Sequence, residues 1–236
     1  MKQHILRKIS NMTAYPLSTS LRQLGRSVGL SVGLLLGLMP LLQGCAGTTQ
    51  TTRRQYDFGA LPDVLQHQQP LSPLTTSAPA FTISVADVSA PLALDSTAMW
   101  YRLAYDNEQQ LRAYAQHRWS MSPAQLLTYR LKSRIAAAGG SVLAVADGVA
   151  DLPVLKIDLD EFSQIFSTPA RSHAQITLRA SVTKRHKLLA QHYFTFNTDA
   201  DSADAPAGAK AMQRSADASI SAILVWLQSI PATARQ

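Results

Sequence analysis

The stretch "LKIDLDEFSQIF", from Leu155 to Phe166, decides most of the fold. Its first half alternates apolar with charged residues, the period-two pattern of a strand that buries one face. The apolar positions are Leu155, Ile157 and Leu159, and the charged positions are Lys156, Asp158 and Asp160. The alternation breaks at Glu161 and Phe162, which predicts a β-bulge there. We therefore expect a strand over Val154–Phe166 with one solvated face and one face on a core.

Other strands are predicted on both sides of this one from similar alternation and from turn residues. They are Gln55–Leu61, a strand starting at Phe81, Met99–Asp106, Leu111–Trp119, Ser141–Ala146, His173–Lys184 and Leu188–Thr198. The last two are joined by the basic turn "KRHK", and Asp106 to Glu108 join another predicted hairpin. Between the first two strands, four prolines at 62, 70, 73 and 79 predict an extended loop.

Two helices are predicted, and the first has clear end signals. Ser122 can cap it, Gln125 completes a capping box, and Gly139 ends it. Its buried stripe is expected at Leu127, Leu131, Ile135 and Ala138, with Arg130, Lys132 and Arg134 facing water. The second helix runs from about Pro206 to Gln228, with its apolar side at Met212, Ala216, Ile220, Ile223 and Leu227. The sequence thus predicts an α+β domain, with two helices packed on one face of a mostly antiparallel sheet.

The first 44 residues have the layout of an export signal. They contain five Lys or Arg, no Asp or Glu, and an apolar run from Val28 to Leu42. An uncleaved membrane anchor is the alternative, but the run is shorter than the roughly 20 residues that a spanning helix needs. Leu42, Gln43, Gly44 and Cys45 resemble the bacterial lipobox, which implies cleavage before Cys45 and acylation of its thiol. Met1 and Met12 are both possible starts.

This interpretation divides the chain into a signal peptide at 1–44, a flexible tether at 45–54 and one domain at 55–230. Removing the signal takes five of the 22 basic residues, so the net charge falls from +7 to 17 − 15 = +2. The basic character therefore belongs to the export signal and gives no reason to expect nucleic-acid binding. Cys45 is the only cysteine, which excludes an intrachain disulfide.

No residue cluster predicts a catalytic, metal or cofactor site. Asp158 and Asp160 could act as the acid and base of a hydrolase, but a solvated strand face has the same pattern. The acidic stretch from Asp199 to Asp204 lacks the glycine and glutamate of a calcium loop and is interpreted as a helix cap. His186 and His192 have no acidic partner nearby in sequence and are interpreted as surface residues.

Five aromatic residues are concentrated on the predicted hairpin: Trp100, Tyr101, Tyr105, Tyr114 and Trp119. Most are expected to lie in the core or in cross-strand pairs. Tyr101 and Tyr105 are the candidates for a partner interface, because they are expected on the same side of one strand and tyrosine suits a partly wet contact.

The order of these motifs resembles the ABC-type transport auxiliary lipoproteins, also called the PqiC-like family. A lipobox is followed by "YDFGALP", a proline-rich loop, "MWYRLAYD", "YAQHRWSMSPAQLLTYRL" and "LKIDLDEFSQIF". The most specific residues of the resemblance are Tyr105, Arg118, Trp119, Pro123 and Leu127.

The resemblance implies a non-catalytic outer-membrane lipoprotein facing the periplasm, anchored by acyl chains on Cys45. Its expected partners are MCE-domain proteins and inner-membrane permeases that move lipids across the envelope, and it could form a homo-oligomer. Ala46 follows the cysteine where Asp signals retention in the inner membrane of enteric bacteria, which also favours the outer membrane. The alternatives are a lipid-anchored hydrolase and an envelope-assembly lipoprotein with no transport role.

Overall fold

A computed structural model of the chain describes residues 52–61, 81–149 and 151–231. The predicted signal peptide, the lipobox with Cys45, most of the tether and the proline-rich loop lie outside the described residues. The strands are β1 Arg54–Tyr56, β2 Thr82–Val85, β3 Ala98–Leu103, β4 Glu108–Trp119, β5 Ser141–Ala144, β6 Val154–Thr168, β7 Arg171–Lys184 and β8 Lys187–Asp199. The α-helices of the described part are α1 Ala104–Asn107, α2 Pro123–Ala137 and α3 Ala205–Ser229, with a 3-10 turn at Val145–Asp147.

The eight strands of the described residues form one sheet, and β6 pairs with more strands of it than any other strand does. One edge of β6 pairs along its whole length with β7, which pairs in turn with β8. The other edge of β6 is shared end to end: β2 pairs near Val154, and β3 pairs from Gln164 to Phe166. Strand β5 extends the sheet from β2, while β4 and then β1 extend it from β3.

The sheet is mixed, so the prediction of a mostly antiparallel sheet was wrong. The hairpins β3–β4 and β7–β8 are antiparallel, as predicted, and β6–β7 is antiparallel as well. The pairs β1–β4, β2–β5, β2–β6 and β3–β6 are parallel. Parallel neighbours need long connections, so they leave no local signal such as a tight turn in the sequence.

A one-residue bulge in β6 keeps its apolar side on the core. Leu159 pairs with Leu178 and Glu161 with Thr177, so Asp160 is the extra residue. The buried positions therefore switch from odd numbers, ending at Leu159, to even numbers, starting at Phe162. The bulge was predicted one residue later than it occurs. Without it, the second half of β6 would present its apolar residues to the wrong face.

The two long helices form as predicted, with some corrections on their faces. The apolar stripe of α3 is buried, and α3 packs against β7 and β8. In α2, which contacts α3 and β5, the predicted stripe is buried except for Ala138, which is exposed. Arg130 is 5% exposed, so the prediction that it faces water was wrong. The single turn α1 was not predicted.

The capping box at the start of α2 is present. The Gln125 N–H donates to Ser122 Oγ at 3.4 Å, and the Ser122 N–H donates to Gln125 Oε1 at 3.3 Å. We predict that Ser122→Ala lowers the free energy of unfolding by about 0.5–2 kcal/mol, because it leaves a helical N–H without a partner. Urea denaturation measures the change. The control is Ser120→Ala at an exposed position just before the helix, and an equal loss in both variants would contradict the role of the cap.

Candidate partner-binding surface

The two aspartates that suggested a hydrolase do not face each other as an acid–base pair. Asp158 Oδ2 accepts hydrogen bonds from Arg179 across the β6–β7 pair, from Nε at 3.1 Å and from Nη2 at 2.6 Å. Arg179 also lies over the Tyr193 ring, 5.9 Å from its centre. Asp160 is the bulged residue and is exposed. The pattern that suggested paired carboxylates thus corresponds to a cross-strand ion pair beside a solvated bulge.

Tyr101 lies in a row of half-buried aromatic rings that crosses several strands. Its ring is 4.6 Å from the Tyr114 ring and 5.8 Å from the Phe166 ring. Tyr114 contacts His117 edge-on, and His117 stacks on Tyr56 at 5.7 Å. These contacts make Tyr101 partly a packing residue, and only part of its ring is available to a partner.

Tyr105 has a different environment from Tyr101. Strand β3 ends at Leu103, and the helical turn α1 carries Tyr105 at the tip of the β3–β4 hairpin. Tyr105 is 48% exposed, and beside it Asp106 pairs with Arg112 at 3.1 Å. The reason given for choosing the two tyrosines together, a shared strand face, was therefore wrong. Tyr105 is the freer of the two for contact with another protein.

A buried amide connects the aromatic row to α3. Gln164 is fully buried; its Oε1 accepts from the Tyr114 hydroxyl at 3.0 Å, and its Nε2 donates to Ser172 Oγ at 2.8 Å and to the Asp204 carbonyl at 3.1 Å. Burial raises the pKa of the Tyr114 phenol, which keeps it protonated as a donor. The first turn of α3 is thereby fixed to β4 and β6.

Asp204 caps α3, as the sequence predicts for the acidic stretch. Its Oδ1 accepts from the Ala207 N–H at 2.8 Å, and its Oδ2 accepts from the Ser202 hydroxyl at 2.8 Å. These donors hold the pKa of the Asp204 carboxyl below its usual range.

Of the two histidines that the sequence singled out, His186 and His192, the second packs edge-on against Phe194, with ring centres 4.6 Å apart.

Gly208 is the position where α3 comes closest to this amide. A Cβ atom there would lie 1.8 Å from Gln164 Oε1 and 2.3 Å from its Cδ. We predict that Gly208→Ala lowers the free energy of unfolding by about 1–3 kcal/mol through overpacking, although alanine normally stabilises a helix relative to glycine. Urea denaturation of a double-mutant cycle measures this. Gly208→Ala should cost much less in the Gln164→Ala background, and an equal cost in both backgrounds would contradict the clash.

Arg130 joins three parts of the chain below the protein surface. Its Nε donates to Asp217 Oδ1 at 2.7 Å and its Nη2 to Asp217 Oδ2 at 2.8 Å, linking α2 to α3. Its Nη1 donates to the Gly59 carbonyl at 2.9 Å, which holds the loop after β1 against α2. Gln213 also donates to the Asp217 carboxylate.

A mostly apolar groove of about 770 Å³ lies between this loop and α2. The loop residues Phe58 and Leu61 line one side, and Met121, Leu126 and Tyr129 line the other. No local sequence pattern other than Tyr129, an aromatic residue on the polar side of the predicted helix, indicates the groove, because its two sides are about sixty residues apart in the chain.

Within residues 52–61, 81–149 and 151–231, no helix is long and apolar enough to cross a membrane. The same residues contain no cluster of three or more His, Cys, Asp or Glu side chains that could hold a metal ion. The exposed apolar side chains include Leu92 at 89% and Val225 at 67%, which alternation and periodicity had not singled out.

Comparison with protein families places the chain in a defined group. A sequence model described as "ABC-type transport auxiliary lipoprotein component" matches residues 64–223. The matched region begins in the proline-rich segment and ends within α3, so it includes Tyr101, Tyr105, Arg130 and Asp217. No functionally curated protein matches the chain.

Two solved structures share the fold at low sequence identity, and a third has a weaker similarity. A DUF330 protein from Xanthomonas campestris is 20% identical with a TM-score of 0.56, over 66% of this chain and 89% of that one. An uncharacterized protein is 13% identical with a TM-score of 0.57, over 75% and 99% of the two chains. A lipoprotein from Neisseria meningitidis is 11% identical with a TM-score of 0.32, over 62% and 97%.

Proposed function

Because the chain belongs to the ABC-type transport auxiliary lipoprotein component family, we propose that it is a non-catalytic accessory subunit of an envelope-spanning lipid transport system. The observation that carries the proposal is the family match over 160 residues, which includes α1, α2, most of α3 and seven of the eight strands described. An accessory subunit acts through contacts with other proteins. Its working residues are therefore expected on the surface, at well-packed aromatic anchors.

The proposed anchor is a set of acyl chains on Cys45, at the end of a signal peptide cleaved after Gly44. The apolar run before it and the lipobox at Leu42–Cys45 support this assignment. With Ala46 in place of the retention residue, the proposed location is the periplasmic face of the outer membrane. The roughly ten-residue tether at 45–54 would let the domain reach partners from there.

The proposed partners are an MCE-domain protein and, through it, an inner-membrane permease. Tyr105 is the first candidate contact, because it projects from the tip of the β3–β4 hairpin and is about half exposed. Tyr101 and its neighbouring rings would form the drier part of the same contact. A homo-oligomer is compatible with this arrangement.

The test is copurification of an MCE protein with the full-length acylated chain from membranes. Tyr105→Ala should weaken the complex by about 2 kcal/mol, or roughly 30-fold in Kd, as truncation of an aromatic anchor does. The matched control is Tyr193→Ala, an exposed tyrosine on β8, which should leave the complex intact. Normal binding in every folded Tyr101 and Tyr105 variant would place the interface elsewhere.

The hydrolase alternative is tested separately, in cells that produce variants of the chain. Asp158→Asn combined with Asp160→Asn should preserve resistance to bile salts and detergents. Substitution of the exposed Asp160 should change stability by less than about 0.5 kcal/mol, and substitution of the partly exposed Asp158 should add the small loss of its ion pair with Arg179. Loss of the barrier with partner binding intact would instead favour an enzyme.

A further inference from the structure

Strand β8 forms a long free edge of the sheet. Among the described strands it pairs only with β7, so backbone N–H and C=O groups along its other side have no strand to bond with. The strand is thirteen residues long, Lys187–Asp199, whereas the other two edge strands, β1 and β5, have three and four residues. A short edge offers little to pair with, but a long one is a template for a further strand.

Most of β8 lacks the features that usually keep an edge strand from pairing. Charged residues, prolines and bulges are the common ones. From Leu188 to Thr198 the sequence contains no Pro, Lys, Arg, Asp or Glu. The register with β7 shifts only near the start of β8, and from Ala190 to Asp199 the pairing is regular. This regular stretch is therefore open to a second strand.

The helix that packs on β8 is uncharged over the same part of the surface. From Ala218 to Ser229, α3 contains no Asp, Glu, Lys or Arg. Its half-buried Trp226 packs edge-on against Phe194 of β8, with ring centres 6.1 Å apart, and lies 6.3 Å from the exposed His192. A surface poor in charge and rich in aromatic rings is typical of the centre of a protein interface.

The charges at the ends of β8 favour an antiparallel copy of the same strand as the partner. Lys187 and Asp199 are both exposed, and neither forms an ion pair with another residue that the structure describes. An antiparallel copy brings the Lys187 end of each strand beside the Asp199 end of the other. A parallel copy would bring like charges together instead, which is unfavourable.

A two-fold axis through Tyr193, the middle residue of β8, gives the longest overlap of the two strands. It places His192 of each copy opposite Phe194 of the other, and cross-strand aromatic pairs stabilise a sheet. The axis is perpendicular to the sheet, so both copies of α3 lie on the same face. A strip about 44 Å long and about 20 Å deep covers roughly 900 Å² per copy, comparable to the about 800 Å² of a standard interface.

We propose that two copies of this chain pair through β8, antiparallel and centred on Tyr193, to form one continuous sheet. The backbone groups of the free edge then bond to each other. Because the bonds are made by the backbone, truncation of a single side chain such as Tyr193→Ala leaves them in place. The inference specifies the contact of a homo-oligomer and does not depend on the proposed transport function, because no other protein takes part in it.

The experiment measures the mass of the full-length chain, purified in detergent, by size-exclusion chromatography with light scattering over a dilution series. Two double variants are compared: Gln191→Lys with Thr195→Lys, and Gln191→Lys with Thr195→Glu. Both residues are exposed, and the proposed register places Gln191 of each copy opposite Thr195 of the other. Near-UV circular dichroism confirms that each variant is folded.

The parent chain should have the mass of two copies. The double-lysine variant should have a Kd at least about tenfold higher, because lysines of the two copies would lie opposite each other. The lysine–glutamate variant should keep the dimer, because opposite charges would then face each other. A parent chain that stays monomeric at micromolar concentration would overturn the proposal. Equal values of Kd for the two variants would overturn it too, because the two substituted positions would then not meet across the interface.

Discussion

Replacing Cys45 by alanine should give a longer, unacylated precursor that is absent from the outer-membrane fraction. A single acyl chain binds a membrane only marginally, and stable anchoring needs two or more, at about 0.8 kcal/mol for each buried CH₂. In the proposed lipoprotein, all of that free energy would be lost with the thiol, because the acyl chains depend on it.

The measurement combines sucrose-gradient fractionation with incorporation of labelled palmitate. Gln43→Ala is the matched control, since it changes the variable position of the lipobox and should leave cleavage, acylation and location unchanged. Palmitate on the Cys45→Ala chain would contradict the lipoprotein assignment. Wild-type protein that fractionates with inner-membrane markers would contradict only the outer-membrane location.

Local sequence patterns predicted the elements of this fold better than their arrangement. Alternation located β6, β7 and β8, and the capping box located the start of α2, because these signals depend on residues close in sequence. The direction of β2 and β3 against β6 depends on where long connections travel, and no period in the sequence encodes that. The 15-residue β6 is long enough to pair with both β2 and β3, one after the other, along the edge opposite β7. A prediction based on hairpins cannot anticipate this arrangement.

For Arg130, helical periodicity indicated the correct, buried side of α2, but the charge of the side chain led to the wrong prediction. It lies four residues after Leu126 and three after Leu127, so helical periodicity places it on the buried side of α2. Its charge led to the prediction that it faces water. The charge is accommodated inside because Asp217 and the Gly59 carbonyl supply acceptors from two distant parts of the chain.

The choice of Tyr101 and Tyr105 as interface residues also relied on a local pattern that did not hold. Two residues four apart lie on the same side of a strand only if the strand includes both, and here the strand ends at Leu103 and α1 begins. Charged and polar residues around the tip form the turn, with Asn107 Oδ1 accepting from the Gln109 N–H at 3.0 Å. Such a turn is fixed by side-chain contacts within a few residues, which periodicity does not detect.

Removing the Asp217 carboxylate should be the most destabilising single change of a polar residue in the described domain. Asp217→Ala leaves the Arg130 guanidinium, 5% exposed, without its two ionic hydrogen bonds. Loss of one partner of a buried ion pair costs about 3–5 kcal/mol, and because the Asp217 side chain is 23% exposed we expect the lower end of that range. Urea denaturation of the detergent-solubilised full chain measures the change.

The contrast between buried and exposed pairs makes this prediction specific. The matched control is Asp201→Ala, which breaks exposed ion pairs with Lys210 and Arg214 and should cost much less than Asp217→Ala, because solvent screens exposed pairs. Arg130→Met with Asp217→Leu should recover most of the lost stability, because two apolar side chains need no counter-charge. Equal losses for Asp217→Ala and Asp201→Ala would contradict the argument. So would a double variant as unstable as Asp217→Ala alone, because the cost would then come from packing and not from an uncompensated buried charge.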